Sequence, residues 1–483
     1  MAKIKKRVAE LLRRSGKTAR SFWRANKAEI YLRSPLYVSS VLIGFTFIVR
    51  HTEPFIFVAL LPLVHYVIQL SKIPRRSIVL DFYVAGFILC GFGNLFLFDL
   101  DPQNWSVKLS ASFALFATFL AWMLICSFCA LSFLAFGAFL AKLPKTSQAI
   151  LSLPFAFAVA ELIRSYLFAI MAYGPHGKLS PNFNWGSLAV PASGTPLVYA
   201  SRLVGFFGLT ALVVAINICI YALLTRKRAW ASAILLILIA TLTYGGWREG
   251  LRTDNKHLSV SFVPLKADES LATWDSSSWP KQGTDLLVLP EYSEFLNNPN
   301  YKTILKRLSK NGLAVTTIRA GKSPLGTNRL IYINRDGVIV NSQDKTFLIP
   351  TGETLPYSLQ ASFLLLGQRE TLEEFRYIQQ ITNGKIDEYS FSYGGHSYGA
   401  LACSGISALG EYNRLSDHGA DILINSASLA FLKPHSRYHV YARNMARFHA
   451  VSNNKPLVQA SRSGESYTIT SQGDISTMNN NLK

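Results

Sequence analysis

Seven apolar runs dominate the first half of the chain: Leu36–Val49, Pro54–Leu70, Ile78–Phe98, Leu109–Ala141, Ala149–Tyr173, Pro196–Leu224 and Ala229–Gly246. Most approach or exceed the ~20 residues a helix needs to cross the hydrocarbon core of a bilayer. The first is short and can extend back through Tyr31; the fourth is long enough to tilt or to continue as an interfacial helix. From about Trp247 the pattern changes. Short apolar strands (Leu258–Val263, Asp285–Leu289, Ala314–Thr317, Leu330–Ile333, Gly337–Val340, Ala400–Cys403, Ile422–Asn425, Leu457–Ala460) alternate with helical stretches near Asn300–Ser309, Gly410–Asp417 and Pro434–Val451. That alternation predicts a layered α/β domain. Three units follow: a basic arm over 1–35, a bundle of about seven membrane helices over 36–246, and an α/β domain over 247–483.

Composition agrees with the membrane reading, since half the residues are apolar and only 16% are charged. The formal net charge of +21 suggests nucleic acid until its placement is considered. The first 35 residues hold eleven Lys and Arg against Glu10 and Glu29. Such an arm beside a membrane span binds anionic headgroups and fixes orientation, so nucleic acid is set aside as a partner. The arm is too long and too charged for a cleaved signal peptide. The loops alternate in charge. Lys72, Arg75 and Arg76 follow the second run, Lys142 and Lys145 the fourth, and Arg226, Lys227 and Arg228 the sixth. Between them come a near-neutral loop, one with Asp99 and Asp101, and a long loop carrying only Lys178. By the positive-inside rule the N-terminus is then cytoplasmic and everything after the seventh span lies outside.

Four of the five cysteines (Cys90, Cys126, Cys129, Cys219) fall in apolar runs and read as small buried hydrophobes. Neither a disulfide framework nor a zinc site is predicted, and no metal or cofactor is expected. Glu161 and Arg164, three apart within one span, either neutralise each other or help line a lipid headgroup pocket. Chemistry is expected around Gln343–Glu353 (QDKTFLIPTGE), where Lys345 and Glu353 would flank one short strand and its following loop. Glu291 ends the apolar strand LLVLP, and Cys403 ends GALAC. Taken singly, Glu291 reads equally as a solvated turn residue and Lys345 as a surface cation, while a lone Cys403 is more often a buried structural thiol. Together, at the ends of separate strands, they make a candidate Glu-Lys-Cys set. A thiolate is a good nucleophile, a neighbouring carboxylate can take its proton, and a fixed cation can stabilise an oxyanion.

Leu286–Ser293 (LLVLPEYS), Asp344–Glu353 (DKTFLIPTGE) and Ala402–Ser404 (ACS) resemble the nitrilase superfamily. Behind a seven-span region they resemble the bacterial apolipoprotein N-acyltransferase family, as do Ala160–Ser165, Ser201–Asn217 and Asn444–Ser466. The resemblance implies an α-β-β-α sandwich on a membrane bundle, facing out of the bacterial inner membrane. It implies transfer of an acyl chain from a phospholipid, through a cysteine thioester, to the N-terminal amine of a diacylglyceryl lipoprotein. Cys403 would be the nucleophile, Glu291 the general base, Lys345 the stabiliser of the tetrahedral intermediate and Glu353 a supporting carboxylate.

The departures are specific. Ser404 and Gly405 stand where the family has Tyr-Glu, and Glu411 lies too far along to be assumed a substitute. Ser426–Phe431 replaces Asn-Asp-x-Trp-Phe, and the closing strands and final span have no evident counterpart before Lys483. A membrane-anchored amidase and a catalytically weak lipid- or lipoprotein-binding relative are therefore the alternatives. Tyr357–Tyr398 is expected to be a lid or arm ending in a flexible Tyr/Gly/Ser loop. Within it Ser362–Leu366 either dips into the bilayer or forms an ordinary buried helix turn, and His396 is expected to be exposed.

Overall fold

A computed structural model describes residues 29–100, 110–175, 177–226, 229–251, 258–274, 279, 283–320, 326–350, 352–378, 384, 389–433, 435–477 and 481–482. Most of the basic arm, Asp101, Lys227 and Arg228 lie outside them.

Six described helices are long and apolar enough to cross a membrane: α1 (Glu29–Ile48), α3 (Arg75–Asp99), α4 (Ala111–Lys142), α5 (Thr146–Met171), α6 (Pro196–Leu224) and α7 (Ala229–Gly250). The second apolar run forms a shorter helix, α2 (Glu53–Ile68), of about 24 Å at 1.5 Å per residue. Contacts at its ends show that it still runs the length of the bundle. A Cβ on Gly194 would strike both Glu53 and Asn444, which places the start of α2 beside the α/β half. Tyr66 near its end donates to Asp81 at 2.9 Å, and Asp81 also pairs with Arg33 at the start of α1.

Among the described residues the bundle thus holds six helices of spanning length and the shorter α2. Arg50, Asp99, Met171 and Arg202 contact the α/β half through Glu465, Arg437, Ser358 and Asn454. The opposite end carries Lys72, Arg75, Arg76, Lys142, Lys145 and Arg226. Phe116, Leu151, Phe155, Trp230 and Ile237 remain exposed on the outside of the bundle, as lipid-facing residues do. This is a membrane protein.

The remainder is two six-stranded sheets. One has the order β12-β1-β2-β3-β4-β5 and the other β11-β10-β9-β8-β7-β6. The strands are β1 (Leu258–Phe262), β2 (Thr284–Glu291), β3 (Leu308–Ala320), β4 (Thr327–Asn334), β5 (Ile339–Asp344), β6 (Phe391–Tyr393), β7 (His396–Ala402), β8 (Ile422–Ser428), β9 (Leu457–Arg462), β10 (Tyr467–Ile469), β11 (Ile475–Ser476) and β12 (Asn481–Leu482). β1, β2 and β3 run parallel in one sheet and β7, β8 and β9 in the other. Val260, Val288, Val315 and Leu330 of the first sheet pack face to face on Ala400, Ile424 and Val458 of the second.

The outer face of the second sheet is covered by α10 (Glu411–Asp417) and α11 (Tyr438–Ser452). Its apolar cluster continues without a break into the bundle, from Leu423 and Met445 to Leu60 and Val213. That continuity seats the sandwich on the spans.

Five expectations change. Asn300–Ser309 is helical only over Tyr301–Leu305, because Leu308 already pairs with Thr284 at the start of β3. The run Phe347–Ile349 is not a strand: β5 ends at Asp344, and the apolar side chains there pack on the bundle loop, Phe347 with its ring 5.4 Å from Phe183. The Tyr/Gly/Ser stretch is the β6–β7 hairpin, whose two-residue turn needs positive φ at Gly394 and Gly395. His396 is then a half-buried strand residue, about 23 Å along the strand from Cys403 at ~3.3 Å per residue. Closing strands are present after all, as β10 to β12, with β12 pairing antiparallel to β1.

The arm forms two helices, α8 (Tyr357–Leu365) and α9 (Arg369–Ile378). They close on each other through Leu355, Phe363, Leu372 and Phe375.

Candidate active site

Parallel strands deliver side chains at their C-terminal ends. β2 ends on Glu291, displaced from strict register with β3 after Val288. β7 ends at Ala402, and Cys403 opens a short 3-10 turn, Cys403–Ser407. Lys345 is the first residue beyond β5, its own N–H donating to the Asn328 carbonyl of β4 at 2.7 Å. The fold thus brings all three to one place, with Glu353 returning from the next loop.

Lys345 Nζ lies 2.8 Å from Glu353 Oε1 and 3.3 Å from Glu291 Oε1. Glu291, Lys345, Glu353 and Cys403 are all buried, none more than 7% exposed. Removing an ammonium from water costs several kcal/mol unless it is paired and hydrogen-bonded, and here two carboxylates provide both. Glu353 is the more firmly held: Asn328 Nδ2 donates to its Oε1 at 2.5 Å and Ile349 N–H to its Oε2 at 2.9 Å.

Burial pushes the Glu291 carboxyl up to about 7; Lys345 opposes this and the charge of Glu353 adds to it. Burial also lowers the Lys345 ammonium, but Glu291 and Glu353 outweigh it and hold the pKa well above the ordinary value. The Cys403 thiol is pushed up by burial and by Glu291, with Lys345 opposing. The Cys403 Sγ approaches the Ser428 carbonyl at 3.4 Å, and the charges of Glu291 and Lys345 both act on the thiol. The resting thiol is therefore protonated, beside a carboxyl that titrates near neutrality. Such a pair can form thiolate by transfer to Glu291 as the nucleophile attacks.

Cys403 has φ +43°, in the left-handed region that costs a non-glycine residue of order 1–3 kcal/mol. Three restraints hold the turn there: Ser404 Oγ donates to the Phe347 carbonyl, His449 Nε2 meets the Ile406 carbonyl, and Asn184 Nδ2 donates to the Ser407 carbonyl, at 2.6, 2.9 and 3.2 Å.

The departures acquire reasons here. A Cβ on Gly405 would come within 2.5 Å of the Leu401 Cβ, so an acid at that position does not fit this turn. Glu411 lines the same cavity as Lys345 and Gly405 while pairing with Arg414 at 3.2 Å. Ser426, in the altered segment, donates to the Leu289 carbonyl at 2.8 Å and receives Thr317 Oγ1 at 3.0 Å, buttressing the strand that carries Glu291.

Glu161 and Arg164 do not pair with each other. Glu161 accepts from Ser187 Oγ, Leu188 N–H and Thr210 Oγ1, while Arg164 donates to the Trp185 and Asn184 carbonyls. Sequence reading missed the roles of Asn328 and Asn184, single polar residues outside any recognisable motif, and of His449, which lies within the resembling segment Asn444–Ser466 but was not singled out there.

Two family models match the chain: the apolipoprotein N-acyltransferase N-terminal domain over residues 39–219 and carbon-nitrogen hydrolase over 271–481. The apolipoprotein N-acyltransferase of Geobacter metallireducens is 24% identical over 347 residues, which is 64% of each chain. That of Rhodopseudomonas palustris is 30% identical over 251 residues, 44% of each. The chain thus spans less than two thirds of the length of either relative. A solved carbon-nitrogen hydrolase from Helicobacter pylori G27 covers 47% of this chain and 88% of its own, at 14% identity and a TM-score of 0.34, a likeness too slight to argue from.

Proposed function

We propose that the chain, which matches the apolipoprotein N-acyltransferase N-terminal domain and the carbon-nitrogen hydrolase models, is a divergent member of the apolipoprotein N-acyltransferase family, and that it moves an acyl chain from a phospholipid, through a thioester on Cys403, to the N-terminal amine of a diacylglyceryl lipoprotein. The observation that carries this reading is the burial of Glu291, Lys345 and Cys403 beside one another at the end of a membrane bundle, with Lys345 paired to Glu291. No cofactor or metal enters the scheme.

In the first half-reaction the thiol proton passes to Glu291 as the sulfur attacks the ester carbonyl. The oxyanion forms against Lys345, already charged and held by Glu353, so little reorganisation is needed. Collapse breaks the ester C–O bond, and Glu291 returns the proton to the leaving alkoxide. In the second half the lipoprotein amine attacks the thioester, Glu291 takes a proton from nitrogen, and the C–S bond breaks. The proton returns to the sulfur. Burial supports transfer over hydrolysis, because water has poor access to the intermediate. The basic end of the bundle supports an orientation with that end in the cytoplasm and the sandwich on the outer face of the inner membrane.

The test is incubation of the full chain with a radiolabelled phospholipid. A hydroxylamine-sensitive acyl adduct, lost in Cys403→Ala and discharged by a diacylglyceryl peptide with a free amine, is the expected result. Amide hydrolysis without an adduct, or neither activity, would overturn it.

A further inference from the structure

We propose that Asn184, in the loop between α5 and α6, is a positioning residue for Cys403, through which the membrane bundle sets the nucleophile's turn; this rests on the thioester reading above. Asn184 is fully buried and belongs by sequence to the helical half, yet its amide is engaged by the sandwich. Oδ1 accepts the Tyr441 hydroxyl of α11 at 2.7 Å, and Nδ2 donates to the Ser407 carbonyl at 3.2 Å. Ser407 closes the turn that Cys403 opens.

The loop carrying Asn184 is itself pinned to α5. Arg164 holds the Trp185 carbonyl and, at 3.5 Å, that of Asn184, while Glu161 holds Leu188 N–H at 2.8 Å. A continuous polar path thus runs from two charged residues inside a span to the last carbonyl of the catalytic turn.

Of the three restraints on that turn, the Ser404 and His449 bonds come from the α/β half, and only the Asn184 bond comes from the bundle. Ser407 is 1% exposed, so without Asn184 its carbonyl would lose a partner that water cannot readily replace. The turn would then relax away from the positive φ that aims the sulfur. Asn suits both contacts because one amide offers an acceptor to Tyr441 and a donor to Ser407. Asp keeps the first and loses the second.

The experiment uses the full chain in detergent micelles as wild type, Asn184→Ala and Asn184→Asp. It measures kcat and KM for adduct formation with a labelled phospholipid, the melting temperature, and the pH profile of Cys403 alkylation by iodoacetamide, read on the Cys403 peptide. The expected result is a fall in kcat of about tenfold in both variants. KM should stay within twofold, melting within a few degrees, and the alkylation profile should shift. Three outcomes overturn the proposal: kcat unchanged in both variants, full activity in Asn184→Asp, or a loss of kcat accompanied by general unfolding and alkylation of Cys90, Cys126 and Cys129. If wild type forms no adduct, the functional reading fails; the alkylation profiles still decide whether Asn184 positions the thiol.

Discussion

The hydroxyl of Ser404 donates to the carbonyl of Phe347 at 2.6 Å, fastening the residue after Cys403 to the loop that follows Lys345. Nucleophile and cation, from different sheets, are thereby held in one frame. Ser404→Ala removes that bond with little change in volume. A typical hydrogen bond contributes ~1 kcal/mol, so adduct formation should slow by roughly fivefold with the fold intact. Single-turnover acylation alongside a melting curve checks this.

Glu291 should set an acidic limb in the rate. As a base it works only when deprotonated, and burial holds its carboxyl at about 7. Acylation should therefore fall as pH drops through 7 and level off above it. Glu291→Gln should remove the limb and slow acylation by 10²–10⁴-fold, the usual worth of general base catalysis. A pH–rate profile of wild type and variant tells.

Asn328 donates to Glu353, which in turn holds Lys345. Asn328→Asp places a second carboxylate against Glu353 in a buried site, where like charges repel strongly. Activity should fall by ~100-fold, more than in Asn328→Ala, which loses only the hydrogen bond. Comparing the two kcat values decides whether charge or packing matters at that position.

His449 should make the protein acid-sensitive. Burial lowers its pKa to about 4, against about 6.5 when unfolded. The folded state thus binds fewer protons in that window, so stability present above 6.5 is lost as pH falls towards 4. At pH 5 the loss is roughly 2 kcal/mol. His449→Gln keeps a donor for the Ile406 carbonyl but cannot titrate, so its melting temperature should drop less between pH 7.5 and 5 than that of wild type.

Leu364, Leu365 and Leu366 are exposed at the end of α8, while Phe363 is turned inward against Phe375. The helix begins at the bundle's edge, where Tyr357 N–H donates to the Tyr173 carbonyl at 2.8 Å. If these leucines meet the bilayer, changing all three to Ser should raise KM for phospholipid in vesicles severalfold and leave Cys403 alkylation unchanged. An unaltered KM would make the helix a surface feature only.

The linear sequence determined the main division of the molecule. Uninterrupted apolar runs have no stable home in water, so the bundle was legible from Leu36 to Gly246, and basic linkers recurring at every second connection placed its ends. The strand-end positions of Glu291 and Cys403 were legible because each closes a short apolar run, and the structure pairs Glu291 with Lys345. What the sequence left open was how those groups are held. QDKTFLIPTGE reads as a strand by local propensity, yet tertiary packing against Phe183 makes Phe347 part of a loop. Asn184, Asn328 and His449 carry no local pattern, since their role depends on which buried carbonyl or carboxylate the fold brings opposite them. Hydrogen bonds between residues 25, 43 and 223 positions apart leave no periodic trace along the chain. Only the three-dimensional arrangement could tie a membrane loop to the turn that bears the thiol.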